Sequence, residues 1–351
     1  MVVPEPLKYL SSFFLPGCVV WFLSTGPHNS LTALAWTLPL WVLILLDYLG
    51  PKVKPTQQKA VLSDRFYNAI LYLLAFLQCL IIALLVNYAS QLQWSTTEEL
   101  MTSLINLLVL RILVGTSSGS SAIIVAHELI HRPRPYQQML GRLLLYSVCY
   151  EHFIIAHLRG HHLSVATPQD IATARLSESF KHYWKRVYIG HFKYAWHFEQ
   201  KRLGLSHHPS LHYKILANSV LQGLVIEILL LIFIVMSFGW TAGFIFLYQA
   251  LAAVRLLETI NYYQHWGLEQ GQTKNTLAWV NQSSLSEYAL IGLANHIAHH
   301  KNAALSFHQK PYLDQGPKMP YGYFVTNLWV KLNNKSYCQT STQILKNWLS
   351  S

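Results

Sequence analysis

The chain has 351 residues, of which 52% are hydrophobic and only 12% charged, about half the charged share of a soluble domain. That balance excludes an ordinary soluble enzyme and makes the bilayer the expected solvent. The net charge of +11 lies between apolar stretches, so membrane topology accounts for it and no nucleic-acid partner is expected. A basic face would also suit anionic lipid headgroups or an acidic redox partner.

Six stretches are long and apolar enough to span a bilayer: about 9–26, 31–49, 67–89, 102–126, 216–238 and 240–262. The first contains Pro16 and has neither a basic leader nor an A-x-A site, so it is expected to be a retained span rather than a cleaved signal. The 50–66 loop carries Lys52, Lys54, Lys59 and Arg65 and should face the cytoplasm. The 90–100 loop carries Glu98 and Glu99 without a basic residue and should face out. The 127–214 segment is rich in Lys and Arg, the turn at Gly239 is short and uncharged, and more Lys follows Tyr263. One topology satisfies every loop: six spans with both termini inside. The expected fold is all-α and integral to the membrane, with about six transmembrane helices forming a single domain over 1–351. A cytoplasmic, histidine-rich helical cap is built from 127–214 and 264–351.

Few polar groups interrupt the spans. Arg111 and Glu227 are expected to pair or to snorkel, while Arg255 and Glu258 lie near the cap end of the last span. The cysteines, Cys18, Cys79, Cys149 and Cys338, form no CxxC pair. A zinc ribbon, a rubredoxin-type iron site and a disulfide framework are therefore excluded. Any such electron-transfer centre belongs to another protein.

Four histidine clusters fall on the cap side. His127 and His131, in HELIH, share one helical face at i, i+4 and can reach one ion. His157 and His161 share a face and His162 points to a neighbouring one, so this trio can bind one metal and reach toward a second. His265 follows the sixth span, and His296, His299 and His300 form an HxxHH run. His152, His182, His191, His197, His207, His208, His212 and His308 read as surface or interfacial histidines. HELIH alone would also fit a zinc hydrolase with Glu128 as general base. That reading leaves seven histidines unexplained and finds no Asp in the last two spans. A metal transporter or haem-binding subunit would place its ligands within the spans. Nine imidazoles are too many for one ion and suit two ions with four or five ligands each. Iron meets the need for redox chemistry with a position open to dioxygen.

These residues resemble the membrane-bound alkane hydroxylases, within the fatty-acid desaturase and hydroxylase superfamily. His127–Arg132 reads HELIHR, close to that family's HELIHK-type box. His157–Asp170 reads HLRGHHLSVATPQD, similar to its EHxxGHH…TPxD stretch. Asn261–Leu268 reads NYYQHWGL, much like its NYxEHYGL signature, and His296–His300 matches its HxxHH box. The resemblance runs from about residue 100 to 330.

The resemblance implies nine iron ligands: His127, His131, His157, His161, His162, His265, His296, His299 and His300. Asp170 would orient one of them from behind, with Glu128 and Glu258 as further candidates. It also implies a non-haem di-iron monooxygenase of a bacterial inner membrane. Such an enzyme hydroxylates a lipophilic substrate, foremost the terminal carbon of an alkane. It uses O2 and electrons from a rubredoxin or ferredoxin-type donor and its reductase. Three departures leave the ligands intact: Ala156 and Gln264 stand where the family has Glu, and Asn295 where Arg is frequent. Gln264 brings in the related enzymes that oxidise methyl groups on aromatic rings. A fatty-acyl desaturase or lipid hydroxylase shares the same boxes.

Overall fold

The computed structural model describes residues 4–53, 62–205, 213–269 and 276–351. Lys54, Lys59, His207, His208 and His212 lie outside the described residues. The chain opens with four helices long and apolar enough to cross a membrane: α1 (Glu5–Thr25), α2 (Ser30–Leu49), α3 (Asp64–Ser90) and α4 (Thr97–Ile130). Three cap helices follow: α5 (Pro135–Tyr146), the short α6 (153–164) and α7 (Phe180–Arg202). Two further spans, α8 (Ser219–Phe238) and α9 (Trp240–His265), complete the membrane base. The cap ends with α10 (Ser284–Ala289), α11 (His296–Lys301), α12 (Tyr323–Leu332) and α13 (Asn334–Ser350). Among the described residues there is no strand, only the isolated bridges Lys52–Ser283 and Val280–Lys318. The protein is an all-α integral membrane protein.

Helix ends differ from the ends of the apolar stretches, because caps rather than hydropathy set them. Thr96 and Glu99 form a reciprocal capping box, so α4 begins at Thr97 rather than near 102. The side chain of Asn218 accepts from Val220 and Leu221 N–H, which starts α8 at Ser219 rather than 216. With 34 residues, α4 is about 51 Å long at the α-helical rise, against a hydrocarbon core of about 30 Å. Its last turns therefore leave the bilayer and carry HELIH with them.

The spans divide into a centre and a rim. Two-thirds of α9 is buried (67%), against 17% of α2 and 22% of α8. On α8, Ile228, Leu229, Phe233 and Met236 point outward, as lipid-facing residues do. α4 and α9 pack closely and run in the same direction, with Gly115 against Ala252 and Gly119 against Leu256. A Cβ on Gly115 would meet that of Ala252 at 2.5 Å, so the small residue sets the helix separation. Some polar side chains in the base bond to one another: Gln78 Nε2 donates to Ser118 Oγ at 3.1 Å and to Ser147 Oγ at 3.2 Å.

Buried Asp47 at the end of α2 joins base to cap. Its carboxylate accepts from Ser283 Oγ at 2.5 Å, Ser286 Oγ at 2.6 Å and Val325 N–H at 3.1 Å. Arg111 and Glu227 do not form the expected pair. Glu227 accepts from the Glu151 N–H at 3.2 Å, while the Arg111 guanidinium lies 5.7 Å from the Tyr248 ring centre. Three of the histidines expected at the surface are buried instead, each held by a partner remote in sequence. His191 Nδ1 lies 3.0 Å from Tyr150 Oη, and His308 is stacked on Tyr67 with ring centres 3.8 Å apart. His152 packs edge-on against Phe192, with ring centres 5.4 Å apart. His182 and His197 are exposed.

Candidate metal centre

Four elements bring the nine box histidines together. α4 supplies His127 and leads into His131; α6 supplies His157, His161 and His162; α9 ends on His265; α11 supplies His296, His299 and His300. They form two groups, His127/His131/His157/His162/His299 and His161/His265/His296/His300. Within each group one ligating atom per residue lies within 4.8 Å of the others.

The division follows helix phase. A regular α-helix would put His157 and His161 on one face. Ala156–His161 is instead a π turn, in which hydrogen bonds close at i+5. His157 therefore shares a group with His162, and His161 turns to the other. α11 stays α-helical, so His296 and His300 face one group and His299 the other. A second π segment, Ser118–Ile123, precedes HELIH within α4. There the Ser121 hydroxyl donates to the Ser117 carbonyl at 2.7 Å and the Ser120 hydroxyl to the same carbonyl at 3.1 Å. Such back-bonding competes with the backbone ladder and favours the wider turn.

The contacts between rings fit a metal better than they fit hydrogen bonds. His157 Nε2 lies 3.1 Å from His131 Nε2 and 3.0 Å from His162 Nε2, which is itself 3.1 Å from His299 Nε2. In the second group His300 Nε2 lies 3.2 Å from His161 Nε2 and 3.0 Å from His296 Nε2, which is 3.1 Å from His265 Nε2. An imidazole nitrogen carries either one N–H or one in-plane lone pair. It cannot serve two such neighbours at once, so hydrogen bonding leaves both chains unsatisfied. Two nitrogens each about 2.1 Å from one ion and at right angles to each other are about 3.0 Å apart. The spacing is that of neighbouring ligands. His127 packs at 4.6 Å from the His157 ring and 4.5 Å from the His299 ring. Its buried Nε2 has no hydrogen-bond partner among the described residues.

Electrostatics favour the ligating form. Burial, followed by the charges of neighbouring groups, pushes His131 down to about 2 and His162 to about 3. The same causes hold His157, His296, His299 and His300 well below the ordinary range. Neutral imidazole is the form that binds a metal.

Behind the ligands the support is uneven. Asp170 Oδ2 lies 2.8 Å from His161 Nδ1, and its carboxylate also accepts from Thr173 Oγ1 at 2.6 Å and Ala172 N–H at 3.0 Å. Burial alone would raise this carboxyl, but His161 and those hydrogen bonds hold it below the usual range. His265 Nδ1 is 2.9 Å from the Leu277 carbonyl. Nδ1 of His296, His299 and His300 has no protein partner among the described residues.

Glu128 touches none of the nine in its described contacts. It is bound by Lys310 Nζ at 2.8 Å, Arg132 Nη2 at 2.7 Å and the Phe307 N–H at 2.9 Å. A carboxylate so engaged ties HELIH to the segment after α11 and is poorly placed as a general base. Glu258 is also set back. It accepts from Tyr150 Oη at 3.0 Å and Asn261 Nδ2 at 3.1 Å, and Tyr183 Oη lies 3.4 Å from it. Tyr183 Oη donates at 3.0 Å to the carbonyl of Ala172, whose own N–H binds Asp170. Sequence reasoning missed this network, and it missed Lys310, Asp47 and the Leu277 carbonyl. A backbone acceptor leaves no mark in a sequence, and a lone buried lysine resembles a surface one.

The geometry thus defines a class: a membrane helical bundle whose cap gathers nine histidines into two groups that could each hold a metal ion. The chain belongs to the fatty acid desaturase family, whose model matches residues 102–326. Alkane monooxygenases are among its similar relatives. Alkane 1-monooxygenase 2 of Pseudomonas aeruginosa is 34% identical over 218 residues, covering 60% of this chain and 57% of the relative. Alkane 1-monooxygenase 1 of the same organism is 35% identical, covering 60% and 56%. The xylene/toluene monooxygenase hydroxylase component of Pseudomonas putida is 25% identical, covering 58% and 55%. The chain thus spans somewhat more than half the length of these relatives.

Proposed function

We propose that this protein is a non-haem di-iron membrane monooxygenase that hydroxylates a lipophilic substrate, foremost the terminal carbon of an alkane. The observation that carries the reading is the convergence of nine imidazoles into groups of five and four. The five-histidine group and the four-histidine group would each hold one iron. The irons, when bound, supply the activation of dioxygen. The balance is one C–H bond, one O2, two electrons and two protons giving one C–OH and one water. The electrons come from a rubredoxin or ferredoxin-type partner served by its reductase, since no CxxC pair is present in the chain.

The protein's own contribution is placement and exclusion. The π turn at Ala156–His161 aims two of its three histidines at one group and one at the other. Asp170 holds His161 with Nε2 directed inward. The apolar lower ends of α4 and α9 deliver a hydrocarbon chain from the bilayer and keep water from the reacting carbon. With the basic loops inside, the site faces the cytoplasm of a bacterial inner membrane.

Gln264 favours a second reading, oxidation of a methyl group on an aromatic ring. The side chain is buried, and its Nε2 donates to Tyr323 Oη at 2.9 Å, fixing a ring beside the last turn of α9. The test is turnover of purified protein in lipid with a reduced donor, a medium-chain alkane and isotopically labelled dioxygen. A primary alcohol carrying one labelled oxygen is expected. Unlabelled product, or none with iron fully loaded, overturns the oxygenase reading. A double bond instead of a hydroxyl moves the chain to the desaturases, and turnover of toluene alone favours the aromatic reading.

A further inference from the structure

We infer that a groove between α2, α4, α9 and α12 binds an acyl chain bearing an anionic head, held by Arg111, Arg255 and Lys331. The groove has a volume of about 420 Å3, and among the described residues no acidic side chain lines it. Its walls are apolar, with Trp41, Leu256, Ile260 and Phe324 among them.

Three cations share this one groove. Arg111 and Arg255 are half-buried within spans, and Lys331 is exposed at the end of α12. None of the three has a carboxylate among the described ion pairs. The guanidiniums of Arg111 and Arg255 lie over aromatic faces, 5.7 Å from Tyr248 and 5.6 Å from Phe180, which leaves their charge uncompensated. Arg255 Nε is buried with no hydrogen-bond partner, and so is the Oδ1 of the neighbouring Asn327. Like charges gathered in a medium of low polarity repel one another and call for an anion. A guanidinium fork matches a carboxylate or a phosphate oxygen pair, and the adjoining apolar volume matches a hydrocarbon chain. A neutral hydrocarbon would use the apolar walls and leave all three charges unanswered.

The shared chemistry is an acyl chain with an anionic oxygen head, and it has two sources: a free fatty acid or an anionic phospholipid. The site belongs to neither metal group, so its test requires no turnover. Full-length protein in phosphatidylcholine nanodiscs is titrated with spin-labelled stearate, its methyl ester and spin-labelled phosphatidylglycerol, and the immobilised fraction is read by electron paramagnetic resonance. The acid or the phosphatidylglycerol should be held about tenfold more tightly than the neutral ester. Added salt should erode that preference only slowly, since the cations are partly shielded. R255Q together with K331Q should bring the ratio of acid to ester close to unity while ester binding and iron content stay unchanged. Preference for stearate identifies a fatty acid as the occupant, and preference for phosphatidylglycerol alone identifies a bilayer lipid. Equal binding of acid and ester by the unmodified protein overturns the inference whatever the variants do. So does a preference that survives the double substitution.

Discussion

His161 Nδ1 and Asp170 Oδ2 lie 2.8 Å apart, both buried, nine residues from each other along the chain. The contact fixes which imidazole nitrogen faces inward, and His161 Nε2 accordingly meets His300 Nε2 at 3.2 Å. It is the one carboxylate contact to any of the nine histidines among the described residues. D170N keeps the shape but loses the charged partner that orients the His161 ring. Metal affinity should fall by about 10–100-fold. Competition of ferrous protein against a chelator under anaerobic conditions measures it. Retention at the unmodified level would show that Asp170 only fastens the loop through Thr173 and Ala172.

The five-and-four division makes a prediction about stoichiometry. Neighbouring residues should act on different ions, because His161 and His162, and likewise His299 and His300, fall in different groups. H162A and H299A should weaken the same iron, and H161A and H300A the other. Mössbauer spectra of each variant should retain one of two distinct ferrous environments. Loss of the same signal in H299A and H300A would contradict the division.

Much of this was legible in the sequence, and what was missed has a physical cause. Four boxes on one side of six apolar spans locate the nine histidines. Ligand spacing alone misassigns His157 and His161 to one face, because the α-helical period fails across a π turn. Nothing in AHLRGH shows that the turn will widen until the whole site is assembled. Burial of His191 and His308 was equally hidden, since their partners, Tyr150 and Glu258 for one and Tyr67 and Asp64 for the other, lie far away in sequence. Span ends were misjudged wherever capping residues such as Thr96 and Asn218 overrode hydropathy.

Buried Glu128 and Lys310 join HELIH to the segment beyond α11 at 2.8 Å. Removing one partner of such a pair costs about 3–5 kcal/mol because the other charge remains buried. Arg132, 2.7 Å from Glu128, should soften the loss in K310M. The reverse change, E128Q, strands Lys310 and Arg132 together and should be the more damaging. Thermal unfolding in detergent gives the order, and the double variant E128Q/K310M should recover part of the loss. A stable E128Q with unchanged iron would show that the pair is dispensable.

Arg142 Nη1 lies 3.1 Å from Glu151 Oε1, an arrangement that ordinarily favours the charged carboxylate. Burial outweighs it: the carboxyl is pushed up to about 7, with Arg142 pulling down and Glu199 pushing up. The folded state therefore binds this proton more tightly than the unfolded state does. The stability it contributes is complete below the unfolded value of about 4.5 and is lost as pH rises through about 7. The unfolding midpoint should fall as pH rises from about 4.5 to about 7, and E151Q should flatten that slope. The Gly223 backbone beside the carboxylate, where a Cβ would meet Glu151 Oε2 at 2.6 Å, leaves no room for it to swing out to water. A midpoint that rises with pH in this window, or a slope that E151Q leaves intact, would place the titration elsewhere in the protein.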